Sequence, residues 1–278
     1  MLGDDRVQSL WALDQLAGRS PTMEAMTSLA YVAALTTQQR LGVAVLVGAG
    51  RGPIAAAKAI TTLDRMSGGR IDIGLGLGAG AHYSSYGVDR VAGGGSEAML
   101  DEFVEIVRRL WSEEAVTVDG ATWQLHDVQM TPKPVQQPHP PLWIGGGSRR
   151  ALERVLDLGG RWIGAGRHST AEFTTLAREL KVVAEERAWA GELRIAKRIY
   201  LMIDDDRATC ERTVGEWFGR FYRRPELGLE VSVLGSIDEC TDQLAAVVEA
   251  GATELIVHPL VDGPEQYQLV IDEIITRL

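Results

Sequence analysis

Residues 70–82 read RIDIGLGLGAGAH, and the reading of this stretch decides the fold. It begins as a β-strand and carries glycines at 74, 76, 78 and 80; from Gly76 it also matches GxGxxA, a weak form of the dinucleotide-binding fingerprint. That fingerprint works only when the glycine turn opens a helix at once, so that the helix N-terminus meets a pyrophosphate. Here AHYSSYGVDRVAGGG follows, a loop, and helical patterning waits until Ser96. The acidic residue required about 20 positions on would be Glu97 or Asp101, already inside that helix. The dinucleotide reading therefore fails on context. A strand whose side chains alternate between two faces puts all four glycines on one of them. Such a bare face either leaves room for a planar group against the backbone or accepts bulky neighbours packed across it.

Working outward, segments of strand and helix character alternate along the whole chain. Strand-like runs are RVQSLWAL, LGVAVLV, IDIGLGL, PLWIGG, RWIGAG, LRIAKRIYLMI and ATELIVH, an order that implies a parallel sheet with helical crossovers. Helix punctuation agrees: Pro53 opens IAAAKAITTLDRM, Ser148 caps RRALERVLDL with Gly159 beyond its end, Ser236 caps IDECTDQLAAVVEA with Gly251 behind it, and Pro264 opens the last helix. Between about 112 and 140 the pattern breaks. AVTVDGATWQL holds two alternating runs around Asp119-Gly120, a hairpin signal, and PKPVQQPHPP must run extended. This segment is an insertion rather than a repeat unit.

A chain of 278 residues with 45% hydrophobic content is long enough for one barrel-sized core, and no Ser/Pro-rich linker divides it, so residues 1–278 are expected to form a single domain. The net charge of -10 argues against nucleic-acid or anionic-membrane partners, which need a basic face. No apolar run reaches the roughly 18 residues of a spanning helix, and the N-terminus lacks a basic region followed by an apolar one; a cytoplasmic protein acting on a small molecule is expected. Cys210 and Cys240 fall in helical patterns with no metal-ligand spacing near them, so they are expected to be reduced core thiols and no metal site is expected.

A second glycine cluster, IGGGS at 144–148, ends a strand and enters a capped helix with Arg149 and Arg150 in its first turn. Exposed N–H groups at a helix start can hold a phosphate, and arginines would add charge-assisted bonds. An ordinary capped helix has the same sequence signature.

Taken together, LDRMSGGRIDIGLGLGAG (63–80), LDEFVEIVRRLW (100–111), VTVDGATWQL (116–125), PKPVQQPHPPLWIGGGS (132–148) and RWIGAG (161–166) resemble the luciferase-like monooxygenases, a family of coenzyme F420-dependent and FMN-dependent oxidoreductases. The resemblance implies a TIM-type (β/α)8 barrel with a hairpin insertion after the GLGLGAG strand. It also implies a cofactor site. Ala44 and Val45 match a strand bulge, often with a cis peptide, behind the isoalloxazine ring; Gly78, Ala79 and Gly80 match backbone beside the ring; Gly145, Gly146, Gly147 and Ser148, with Arg149, match the loop at the cofactor's phosphate. Arg167 and His168 match the region where sugar-phosphate-oxidising members hold their substrate.

Two departures from the family pattern bear on chemistry. Where F420-dependent dehydrogenases end their second strand in Asp-His, this chain has Asp14-Gln15, and glutamine accepts no proton; where they place an acidic glutamate, Ala81 stands, with His82 beside it. The expected catalytic set is therefore His82, Asp14 and His168, with Gln15 and Arg167 toward the substrate. His258 also falls at a strand end, His126 and His139 on the surface, and Trp11, Trp143, Tyr83 and Tyr86 either line the pocket or belong to the core. The SGGR and GLGAG context, without arginine in the glycine strand, favours F420 over FMN. A flavin-binding protein without turnover is a second reading, and a cofactor-free barrel hydrolase a third.

RVQSLWALDQ aligns with the second strand of such a barrel, so the first βα unit is missing from this sequence and seven strands are expected. Either the start lies at an internal methionine or the chain forms an open barrel; an open parallel barrel keeps two unpaired edges, which leads to the expectation of a homodimer, an exchanged strand or poor solubility.

Overall fold

A computed structural model describes residues 3–17, 21–77, 95–261 and 263–278. Cα packing divides the chain into two compact units, Gln8–Gly145 and Gly146–Leu278, the second including Gly3–Val7.

In the N-terminal unit the strands β1 (Ser9–Ala12), β2 (Arg40–Leu46), β3 (Ile71–Leu75) and β6 (Leu142–Gly145) pair in that order, all parallel. Helices α1 (Ala25–Leu35), α2 (Pro53–Met66) and α3 (Gly95–Ser112) connect them. Pro53 occupies the first turn of α2, as its fixed φ and missing N–H favour. Trp11 and Trp143 meet edge to face at 5.8 Å, and the indole N–H of Trp143 donates to Asp72 Oδ1 at 3.1 Å. Asp72 is in turn ion-paired with Arg40. Gly42 lies under Trp11, so close that a Cβ there would fall 2.2 Å from the indole. Both tryptophans are thus engaged in packing near the strand starts.

The motif LDRMSGGR ties this unit together. Buried Asp64 accepts hydrogen bonds from the Val135 and Gln136 N–H groups and from Gln136 Nε2, which fastens the proline-rich return segment onto α2. The Arg70 guanidinium donates to the carbonyls of Ala33, Thr36 and Gln39, so it caps the end of α1. Within SGGR, Ser67 and Arg70 are engaged in this structural work.

The expected insertion is present as the antiparallel hairpin β4 (Ala115–Asp119) and β5 (Gln124–Gln129). Its turn is longer than the Asp119-Gly120 dipeptide implies. Asp119 pairs with Gln124, and the Glu102 carboxylate accepts from the Thr122 and Trp123 N–H groups between them; a side chain from α3, invisible to local turn rules, selects the wider loop. His126 is exposed as expected, whereas His139 is partly buried against Trp111, ring centroids 5.7 Å apart.

In the C-terminal unit β7 (Arg161–Gly164), β8 (Arg194–Ile203) and β10 (Glu254–Pro259) pair in order and in parallel, and the short β9 (Val233–Gly235) pairs with the end of β8. The helices are α4 (Arg149–Asp157), α5 (Thr170–Glu186), α6 (Arg207–Tyr222), α7 (Pro225–Val231), α8 (Ile237–Glu249) and α9 (Pro264–Leu269). Ser148 caps α4, and reciprocal capping boxes open α5 (Ser169, Glu172) and α8 (Ser236, Glu239), each satisfying N–H groups that a helix start leaves unpaired. Gly159 and Gly251 take positive φ beyond the ends of α4 and α8. Cys210 and Cys240 are buried in α6 and α8, and burial pushes the Cys240 thiol up to about 12.

The seven strands expected from sequence are the seven found on the main sheet order, with β9 additional. Among the described residues β1 pairs with β2 alone and β10 with β8 alone.

Candidate active site

In the N-terminal unit the site begins at an irregularity in β2. The register against β3 shifts between Val43 and Leu46, and the Ala44–Val45 peptide is cis, as the resemblance implies. The half-buried Val45 side chain lies against two glycines: a Cβ on Gly76 would meet its Cγ2 at 2.8 Å, and one on Gly145 would meet its Cγ1 at 3.1 Å. At the ends of β2, β3 and β6 the half-buried Val45 therefore covers the buried Gly76 and borders the half-buried Gly145. For Gly76 the missing side chain is explained by Val45 packed into its place. Gly78, Ala79, Gly80 and His82, with Tyr83 and Tyr86, lie outside the described residues.

Asp14, just past β1, has no exposed side-chain surface. Its Oδ2 accepts from the Val47 N–H at 2.8 Å and its Oδ1 from Arg51 at 2.6 Å, and Arg51 also pairs with Glu24 at 2.6 Å. Burial works to raise the Glu24 carboxyl, but hydrogen bonds from Thr27 and Met26 and the Arg51 charge outweigh it and hold it at about 2. Asp14 thus ties the loop after β1 to the end of β2, where both of its oxygens are engaged. Gln15 accepts a hydrogen bond from the Thr22 hydroxyl at 2.9 Å.

In the C-terminal unit, Gly146 has φ 123°, a conformation glycine tolerates, and its carbonyl accepts from the Trp162 indole at 2.8 Å. A Cβ on Gly147 would fall 2.9 Å from Leu176. Ser148 Oγ accepts from the Ala151 N–H. This is a glycine loop that leads into the capped start of α4. Arg149 is turned outward, bonded to Glu153 and Glu186 at 3.0 and 2.6 Å, and Arg150 lies near Glu153 and Asp157. A surface groove of about 320 Å³ lined by Arg149, Leu152, Thr175, Glu179 and Val182 belongs to the helices α4 and α5 and includes no strand end.

Beyond β7 the chain turns at 165–168. Arg167 is exposed, and His168 is half-buried with Nδ1 enclosed and without a hydrogen-bond partner. Burial, then the charges of Lys197 and Arg167, lower the His168 pKa, so its imidazole is neutral near pH 7. The turn is held by a residue that sequence patterning did not single out. Lys197, buried in β8, donates to the carbonyls of Ala165 and His168 at 2.7 and 2.8 Å. Burial first, then the Arg198 charge, pushes it down to about 7. A lysine on a buried face of the strand RIAKRIYLMI is the signal. Among the described residues no group of His, Cys, Asp and Glu has the arrangement of a metal site.

The model of the luciferase-like monooxygenase family matches residues 7–229. The chain belongs to that family. Within it, the Mycobacterium tuberculosis protein Rv0953c, itself uncharacterised, is 29% identical over 236 residues, covering 84% of this chain and 77% of that one. The F420-dependent glucose-6-phosphate dehydrogenase of Kineococcus radiotolerans is 33% identical over 148 residues, 51% of this chain and 43% of the enzyme. Among solved structures, the oxygenating constituent of 3,6-diketocamphane monooxygenase from Pseudomonas putida, in complex with FMN, superposes with a TM-score of 0.79 at 18% identity, covering 98% of this chain and 88% of that one.

This likeness fixes the fold as the TIM-type (β/α) barrel of the luciferase-like family, with seven strands on the main sheet order and the hairpin insertion. Family relatives are oxidoreductases and monooxygenases that use F420 or FMN. No helix among the described residues is long and apolar enough to cross a membrane.

Proposed function

We propose that this protein is an oxidoreductase that binds coenzyme F420, with FMN as the alternative cofactor, and transfers hydride to or from a small organic substrate. The observation that carries the reading is the half-buried Val45, one apolar side chain packed over Gly76 and beside Gly145 at the strand ends, against which a tricyclic ring can lie. The glycine loop at Gly146 and Gly147, entering α4 with Ser148 holding it in place, suits the cofactor's phosphate. Arg149 contributes only if it leaves Glu153 and Glu186. The cofactor, when bound, supplies the hydride chemistry; the chain supplies orientation, a dry surface and proton handling. His168, neutral and with an unpaired Nδ1, and His82 are the candidates for moving the proton. Gln15 and Arg167 are the candidates for holding the substrate. F420 is placed first on the 33%-identical F420-dependent relative. A soluble cytoplasmic homodimer completes the reading.

A second reading, a flavin-binding protein without turnover, is favoured by Asp14, both of whose oxygens are engaged, and by Gln15, which cannot act as a base. Fluorescence titration of the purified apoprotein with F420 and with FMN tests the choice. Tight F420 binding supports the first reading, and FMN binding with no F420 binding rejects that preference. Bound cofactor that no donor reduces and no acceptor oxidises supports the second.

A further inference from the structure

The C-terminal unit holds a constellation to which the proposed cofactor site assigns no role. Gly164 at the end of β7 faces α5, where a Cβ would meet Phe173 at 2.7 Å and Lys197 Cδ at 3.4 Å. Lys197 therefore points into the helix layer, and alternation places Arg198 and Tyr200 on the opposite face of β8. There the Arg198 guanidinium lies 4.7 Å from the Tyr200 ring centroid and 3.0 Å from His258 Nδ1. His258 stands beside Tyr200 in the register of β10 on β8. Arginine only donates, so His258 Nδ1 is the acceptor and its ring proton resides on Nε2. Trp217 of α6 lies 5.2 Å from Tyr200 and 5.6 Å from His258, and Tyr222 lies 6.0 Å from Trp217. The hydroxyls of Tyr200 and Tyr222 meet. Helix α6 thus lays an aromatic wall across this face.

Arg198 is partly buried, stacked on one ring and hydrogen-bonded once, and no carboxylate among the described residues pairs with it. A guanidinium offers five N–H donors in a planar fork that matches a carboxylate. A cation sheltered without a counter-ion is completed by an anion from outside. One guanidinium matches a single negative charge, and the flanking rings match a flat apolar body.

We propose that Arg198, Trp217, Tyr222 and His258 form a subsite for a small aromatic monocarboxylate, Arg198 holding the carboxylate and the rings holding its body. This deepens the reading of the protein as acting on a small organic substrate and rests on it. Its test requires no added cofactor, so failure here and failure of the F420 assignment are told apart by the separate cofactor titration.

The experiment is calorimetric titration of the purified full chain with benzoate, benzamide and inorganic phosphate, repeated on Arg198→Gln, Arg198→Lys and Tyr222→Leu, with a circular-dichroism melt of each variant. Benzoate is expected to bind at least about tenfold more tightly than benzamide or phosphate, the margin of a charge-assisted pair. Arg198→Gln should erase the preference for benzoate over benzamide, Arg198→Lys should keep part of it, and Tyr222→Leu should weaken both ring ligands together. Should Arg198→Gln not fold, the Lys and Leu variants still decide. Equal binding of benzoate and benzamide, tighter binding of phosphate, no binding of benzoate at all, or benzoate binding unaffected in a folded Arg198→Gln would each overturn the proposal.

Discussion

Val45 occupies the space that a side chain at Gly76 would need. A Cβ on Gly76 would lie 2.8 Å from Val45 Cγ2, well inside van der Waals contact, and valine cannot swing away because its β-branch is stiff. Gly76→Ala is therefore expected to cost about 1–3 kcal/mol, the usual range for overpacking. Chemical denaturation measures it, and the double variant with Val45→Ala should recover most of the loss. A Gly76→Ala protein as stable as the original would show that Val45 does not set this position.

Asp14 joins the end of β2 to Arg51. Removing its carboxylate by Asp14→Ala leaves Arg51, whose side chain is only 17% exposed, with Glu24 as its remaining counter-ion, and leaves the Val47 N–H without its acceptor. The expected loss is about 3 kcal/mol, as for breaking a buried pair by deleting one partner, read from urea unfolding midpoints. If stability is unchanged while turnover disappears, Asp14 has a chemical role instead.

Lys197 makes stability depend on alkaline pH. Its ammonium titrates at about 7 in the folded protein, against an ordinary 10.5. Between those values the unfolded chain binds a proton that the folded chain does not, so this residue makes the protein more stable as pH rises through that window. Lys197→Met should lose that rise, although it also loses the ties to the Ala165 and His168 carbonyls. Melting temperatures of the two proteins from neutral to alkaline pH should diverge; parallel curves would refute the assignment.

The edges of β1 and β10, each paired on one side among the described residues, are liabilities that a monomer in solution must cover. Sedimentation velocity is expected to give a dimer at micromolar concentration.

Strand and helix order were legible because their signals are local. Alternation marks β2 and β8, Pro53 opens α2, and Ser148 and Ser236 cap α4 and α8. The hairpin was legible too, but its turn was not, because Glu102 reaches it from 20 residues away. The phosphate role read for Arg149 met the same obstacle. A first-turn arginine looks available in sequence, and Glu186, 37 residues on, engages it.

The aromatic wall around Arg198 was missed for a related reason. Arg198 and Tyr200 sit two apart in RIAKRIYLMI, a spacing that announces a shared face, but their partners come from α6 and from His258 in β10.

By itself the sequence determined the family, the order of the strands, the helix ends and the places where glycine is compulsory, since propensity, periodicity and capping act within a few residues. Which group fills the space beside each glycine, and which charges are already paired, was decided only by tertiary structure. Gly76 faces Val45, Asp14 faces Arg51, and Arg198 faces no carboxylate among the described residues. Close packing and ion pairing act over a few ångströms of space, whatever the separation along the chain.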